Sequence, residues 1–318
     1  MLRAEQISRR LKLRQLNVLV AVVRWGSMAR AAEHLAISQP VVSKAIADLE
    51  NTLGVRLLDR HPQGVEPTLY GRALLKRSVA IFDDLRTSVS ELEFLADPTS
   101  GELRVGSTEA MGAGLLPTII DRLARQYPRL AFDVVQADPT RLRDSELRGR
   151  RVELVIGFFA THDLEEDLEA TILFHDRACV VAGVSSRWAG RRKINPADLV
   201  NERWCLPPSD HPARSALIEG FRRCGLEPPQ SIVTVASAQF TSNLVAKGQF
   251  LGVLSTGLLG FNPPSVPLKV LAVDLQIPAW SPISIITLKN RTLSPVAQLF
   301  IDSAREVTKS MRKINKSA

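Results

Sequence analysis

Between Ser38 and Lys44 the chain reads Ser-Gln-Pro-Val-Val-Ser-Lys, and on a helix Gln39, Pro40, Ser43 and Lys44 share one side. Their chemistry suits a patterned edge of donors and acceptors. A glutamine amide pairs bidentately with adenine, serine and lysine reach base edges or phosphates, and a proline ring meets a thymine methyl. Ser27, Arg30, Arg56 and Arg60 lie on either side in sequence. They suit phosphate oxygens, contacts that fix register without reading bases. The ordinary alternative for all of them is a solvated polar face.

A second set of residues lies far downstream. Gly106-Ser107-Thr108 and Ser237-Ala238-Gln239 each follow a strand pattern and precede a helix pattern. Backbone N–H groups and hydroxyls at such junctions can hold an anion or a polyol. Ser107 and Ser237 would serve equally well as plain helix caps. Other chemistry finds little support. Cys179, Cys205 and Cys224 are odd in number and have no C-x-x-C spacing, which argues against a disulfide framework and a zinc site. His34, His61, His162, His175 and His211 show no ligand spacing, so no metal is expected. Gly112-Ala113-Gly114 lacks the full dinucleotide pattern, and no cofactor is expected.

Local patterning places the first set. Leu16, Leu19, Val20 and Val23 recur at helical spacing until Gly26. Ser27 then stands where it can cap a second helix carrying Met28, Ala31, Ala32 and Leu35 inward, and its adjacent alanines allow close helix approach. Ser38 repeats the device for a third helix, with Pro40 in the first turn and Ile37 packed on Val42. Val42, Ile46, Leu49 and Leu53 form its buried stripe, leaving Pro40, Ser43, Lys44 and Ala47 as a face without bulk. Two capped helices around an Ala36-Ile37 turn make a helix-turn-helix, whose slim face is shaped to enter a groove. The runs Val55–Arg60 and up to Leu69, around His61-Pro62-Gln63-Gly64, read as a two-stranded wing. A helix from about Gly71 to Leu95 follows, with Phe82, Leu85, Val89 and Leu92 as a dimer seam. Asp97-Pro98-Thr99-Ser100-Gly101 reads as a linker.

Beyond it, strands alternate with helices, which predicts a sheet of parallel type covered by helices. Strands are expected at 103–105, 130–135, 153–157, 179–183, 204–206, 232–235, 251–254 and 283–288. Helices are expected at 115–127, 140–148, 212–224 and 239–247, with a last one capped by Ser294 with Pro295 at its first position.

The chain has 318 residues, 45% hydrophobic and 23% charged, enough for two or three compact units. Its net charge of +8 favours a polyanionic partner. Arg3, Arg9, Arg10, Lys12, Arg14, Arg24, Arg30, Lys44, Arg56, Arg60, Arg72, Lys76 and Arg77 crowd the end that holds the helix-turn-helix. No apolar run is long enough to span a membrane and no signal-peptide pattern follows the basic N-terminus, so a cytoplasmic protein is expected.

Ala31-Ala32, Ser38-Gln39-Pro40-x-Val42-Ser43, Leu49-Glu50, Leu53-Gly54, Arg60 and Thr68-x-x-Gly71 stand in the order and spacing of one family. In these motifs the sequence resembles the LysR-type transcriptional regulators of bacteria. The resemblance implies an N-terminal winged helix-turn-helix over residues 1–70, and a dimerising linker helix and hinge over 71–100. It further implies an α/β effector-binding domain over 101–318, two-lobed like type 2 periplasmic binding proteins. Lobe one would take about 102–173 and 282–311, and lobe two about 179–271, joined by two crossing strands. Double-stranded promoter DNA, a small polar effector, RNA polymerase and a homodimer or homotetramer are the partners this implies, with no membrane. Ser107, Thr108, Gly157, Phe158, Pro208, Ser209, Ser237, Ala238 and Gln239 would line the cleft between the lobes. The sequence departs from the family at Pro62-Gln63, Pro67 and Ala29, which touches the wing contacts and one phosphate ligand. The rival expectation is a cytosolic small-molecule-binding protein or enzyme with a basic oligomerisation domain. It lacks a nucleophile elbow or a paired acid–base motif.

Overall fold

In the computed structural model the described residues are 10–62, 64–159, 164–261, 266–275, 277 and 282–309. Arg3, Arg9, Gln63 and His162, and the end of lobe one past residue 309, lie outside them. The chain divides into two compact units, Met1–Thr87 and Ser88–Ala318.

The first unit begins with α1 (Leu13–Trp25), α2 (Met28–His34) and α3 (Gln39–Leu53). Leu16, Leu19, Ala31, Val42, Ile46 and Leu49 are buried together, as helical spacing predicts, but on α1 Val18 and Val22 join them, whereas Val20 and Val23 are only half-buried. Gly26 and Gly54 close α1 and α3 in the left-handed region, at φ 64° and 71°. The α2–α3 turn ends in a Schellman arrangement. Ile37 N donates to Ala32 O, and Ala36 holds the left-handed position at φ 52°. Ser27 and Ser38 do occupy the N-cap positions, yet neither hydroxyl accepts a capping hydrogen bond.

The wing is shorter and shifted from expectation. β1 (Leu58–His61) pairs antiparallel with β2 (Gly64–Pro67), while Val55–Leu57 lies outside the strand and Leu69 already belongs to the next helix. That helix, α4, runs Leu69–Ala96.

The second unit holds two five-stranded sheets. The first is ordered β4-β3-β5-β12-β6, from β3 (Ser100–Ser107), β4 (Arg129–Gln136), β5 (Leu154–Phe158), β6 (Leu168–His175) and β12 (Pro282–Leu288). The second is ordered β11-β7-β10-β8-β9, from β7 (Ala178–Gly183), β8 (Trp204–Leu206), β9 (Ser231–Thr234), β10 (Leu251–Ser255) and β11 (Leu268–Val270). The sheets are mixed rather than all parallel. β12 runs antiparallel to β5 and β6, and β7 antiparallel to β10 and β11. This follows from the connectivity, because the chain leaves the first sheet at His175 and re-enters it only with β12, against the direction of β5.

Helices α5 (Glu109–Ala113), α6 (Leu115–Gln126) and α11 (Pro295–Val307) cover the first sheet, with Met111, Ile119, Phe300 and Ala304 buried against it. Ser294 caps α11 by accepting from Ala297 N. Pro139–Arg141 forms a single helical turn, α7, and Leu142–Leu147 continues it as a π-type turn where a regular helix was expected. α8 (Pro212–Arg223), α9 (Ala238–Val245) and α10 (Thr256–Phe261) belong to the second sheet. Strands β6 and β11 and helices α5 and α10 had no counterpart in the sequence reading.

Candidate nucleic-acid interface and effector cleft

On α3 the expected face is present with two changes. Gln39, Pro40 and Lys44 are exposed, whereas Ser43 is half-buried and its Oγ donates to Met28 Sδ at 3.4 Å. Val41 is 40% exposed, so a branched apolar side chain stands on a face expected to be free of bulk. Sequence reasoning passed over Val41 because it adjoins the buried Val42. Ser38 and Arg30 are exposed, and Ser27 is half-buried with its hydroxyl uncommitted to capping. At the N-terminal end of α3 no side chain caps the Gln39 N–H, Pro40 has no N–H and Val41 N donates to Ser38 O, so the end keeps the positive potential of a helix start.

The family signature residues turn out to be joints. Glu50 Oε1 accepts from Leu57 N at 2.7 Å and from Leu58 N at 3.2 Å, tying the wing to α3. Thr68 Oγ1 donates to Arg56 O at 2.8 Å and accepts from Gly71 N at 3.0 Å. A Cβ at residue 71 would stand 2.0 Å from Leu57 O, which is why glycine is needed there. Val65 N donates to Gly26 O, fixing the wing to the end of α1. Arg56 and Arg60 are left exposed along this wing.

On α4, Leu85, Val89 and Leu92 are 51%, 50% and 68% exposed. They form one apolar stripe at helical spacing, with Ile81 continuing it. Phe82 differs from expectation. It is half-buried and packs on the N-terminal core, one position round the helix from the stripe.

The cleft within the second unit brings together part of the predicted set. A cavity of about 40 Å³ is lined by Glu109 and Phe158 from one lobe and by Pro207, His211 and Ala238 from the other. The Glu109 carboxylate spans the lobes, with Oε1 accepting from Ser237 Oγ at 3.1 Å and Oε2 from Ala238 N at 2.9 Å. Ser237 is also the N-cap of α9, accepting from Phe240 N. Phe158 meets the His211 ring edge-on at 6.4 Å between centroids. His211 Nδ1 accepts from Ala213 N, so the neutral imidazole carries its proton on Nε2. Burial pushes the His211 pKa down, against the opposing pull of Asp210 and Glu109.

The other predicted residues play supporting parts. Ser107 is fully buried and its Oγ donates to Thr108 O, while Thr108, not Ser107, is the N-cap of α5. Thr108 Oγ1 is buried and has no hydrogen-bond partner. A Cβ at Gly157 would stand 2.8 Å from Thr108 Cγ2, so glycine lets β5 pass close to that residue. Pro208 O accepts from His211 N. Ser209 and Gln239 are exposed and do not line the cavity. Glu109 and His211 were missed, although each adjoins a predicted motif and stands at a helix start.

Behind the cleft, buried Asp176 sits where the chain crosses between the sheets. Its Oδ1 accepts from Arg177 N, Thr256 Oγ1 and Gly257 N, anchoring the start of α10. Phe261, at the far end of α10, packs into the core of the first lobe. Burial pushes the Cys179 thiol up to about 11, and Cys205 also upward, leaving both poor nucleophiles. Among the described residues no three His, Cys, Asp or Glu gather as a metal set. Among them, too, no helix is long and apolar enough to cross a membrane.

Comparison with known proteins agrees with both units. Residues 13–72 match the bacterial regulatory helix-turn-helix protein, lysR family, and residues 96–309 match the LysR substrate binding domain. The transcriptional regulator GbpR of Azospirillum brasilense is 30% identical over 303 residues, covering 93% of this chain and 86% of that protein. CysL of Bacillus subtilis is 30% identical over 244 residues, covering 77% of this chain and 80% of that protein. Among solved structures, CbnR superposes with a TM-score of 0.62 at 22% identity, covering 94% of this chain and all of that one. A full-length OxyR from Pseudomonas aeruginosa gives 0.66 at 20% identity, covering 93% and 95%. These relatives are transcriptional regulators and not enzymes, which decides against the rival expectation. A helix-turn-helix matched over 13–72 and, beyond a long connecting helix, a two-lobed domain matched over 96–309 place this chain in the LysR family of DNA-binding transcriptional regulators.

Proposed function

We propose that α3 reads promoter DNA in the major groove and that a small polar effector in the cleft sets how paired DNA-binding units address their site. The observation that carries this is the start of α3, where Gln39, Pro40, Val41 and Lys44 are exposed at the helix's positive end. In this reading Gln39 contacts a base edge and Pro40 and Val41 a thymine methyl. Ser43, turned partly toward Met28, has the smaller share. Ser27, Arg30, Ser38, Arg56 and Arg60 position the phosphates.

The exposed stripe Leu85, Val89 and Leu92 supports a homodimer formed through α4, or a homotetramer of such dimers. RNA polymerase as the downstream partner and a cytoplasmic location belong to the same reading. So does the division into residues 1–70, 71–100 and 101–318. Effector control requires the ligand to favour one arrangement of the lobes over another.

Competition gel shifts at several salt concentrations test the DNA reading. Gln39→Ala should cost about 1–3 kcal/mol of discrimination between cognate and altered sites. Arg60→Ala should weaken all DNA alike and lower the salt slope by about one. Equal losses on cognate and random DNA for Gln39→Ala would remove the base contact.

A further inference from the structure

The cleft is closed on one of its own side chains. At about 40 Å³ it has room for only a few waters, whereas ligand pockets run to several hundred Å³. What fills the polar end is the Glu109 carboxylate, whose two oxygens each accept from a different donor of the opposite lobe, Ser237 Oγ and Ala238 N. Ala238 is the first residue of α9, so the charge also sits on that helix's positive end.

We propose that Glu109 is an internal stand-in for the effector's anionic group, a latch that a small monocarboxylate opens by taking the same two donors. This rests on the reading of the cleft as the effector site. The lining chooses the class. No lysine or arginine lines the cavity, so a single negative charge can be met by the α9 terminus while a phosphate or dicarboxylate would retain unbalanced charge. Phe158, Pro207, Leu254 and Leu258 offer the rest of the ligand an apolar wall.

Exchange of one carboxylate for another keeps both hydrogen bonds, and Glu109 regains water when it swings out. The tethered Glu109 competes with the ligand, which lowers the apparent affinity by the fraction of chains left unlatched. Removing it must therefore strengthen binding rather than weaken it.

The test uses the full chain with benzoate, its neutral isostere benzamide and inorganic phosphate in calorimetric titrations. Glu109→Ala should bind benzoate about tenfold more tightly than the native chain, as expected for a latch closed about nine times in ten. Glu109→Gln, which can still accept weakly, should fall between them, and benzamide, which lacks the charge, should bind each of the three proteins more weakly than benzoate does. Hydrogen exchange of the peptide spanning 236–242 should speed up in Glu109→Ala with no ligand present. Unchanged exchange overturns the latch. Equal benzoate affinity in all three proteins, or no benzoate binding to any, overturns displacement by a monocarboxylate. If benzoate binds as expected but DNA occupancy does not respond, the effector reading fails while the latch stands.

Discussion

Glu50 lies on the third helix of the DNA-binding unit, and its carboxylate is 2.7 Å from the backbone nitrogen of Leu57, just ahead of the wing. The side chain thus ties α3 to the start of the wing. It does so without touching either of the surfaces that face outward. Glu50→Ala leaves Leu57 N and Leu58 N without this acceptor and should cost about 1–3 kcal/mol. Because the wing then moves relative to α3, DNA affinity should fall across all sequences in gel shifts, while Gln39→Ala alters discrimination. Retention of full stability by Glu50→Ala would show that water replaces the bond at no cost.

Ala36 carries a left-handed backbone, at φ 52°, in the turn between α2 and α3. Such a conformation costs an L-residue about 1–2 kcal/mol, and glycine is free of it at the expense of a more mobile unfolded chain. Ala36→Gly should stabilise the N-terminal unit by up to about 1 kcal/mol, equivalent to about 4–8 °C for a unit of this size. Thermal unfolding followed by circular dichroism measures it. A lower melting temperature would mean that chain entropy outweighs relief of strain.

The α4 stripe and Phe82 should separate in their effects. Leu85→Glu with Val89→Glu places charge on residues that are half exposed in the single chain, so folding should persist while sedimentation shows dissociation. Phe82→Ala should instead lower thermal stability through lost packing on the N-terminal core, with the oligomer intact. Dissociation by Phe82→Ala at unchanged stability would reverse these assignments.

His211 gives the cleft a pH dependence whose sign is fixed by burial. Its pKa in the folded chain is pushed below the ordinary value of about 6.5 despite Asp210 and Glu109 nearby. Above that value the imidazole is neutral in the folded and the unfolded chain, and no penalty arises. As pH falls through it, the unfolded chain takes up the proton first, so stability drops until the lower folded pKa is passed. Protonation of Nδ1 also removes the acceptor for Ala213 N at the start of α8. The native chain should lose melting temperature between pH 7.5 and 5.5. His211→Asn, which can keep the cap without titrating, should flatten that profile. Parallel profiles for the two proteins would assign the acid sensitivity elsewhere.

What the sequence settled by itself was the DNA-binding unit and the type and order of most elements. There the information is local. A glycine stop after Trp25, serines at two helix starts, Val42, Ile46 and Leu49 at helical spacing, and a Thr68-x-x-Gly71 joint each act within a few residues. What the tertiary structure decided was which groups meet across long separations. The antiparallel course of β12 beside β5 depends on a return that takes more than a hundred residues. The inward turn of Ser43 and Phe82 depends on neighbours, Met28 and the N-terminal core, that periodicity does not specify. Glu109 and Ser237 are 128 positions apart. A side chain's hydrogen-bond partner is fixed only once the backbone has brought distant donors within reach, so the closed cleft was not legible in the order of residues.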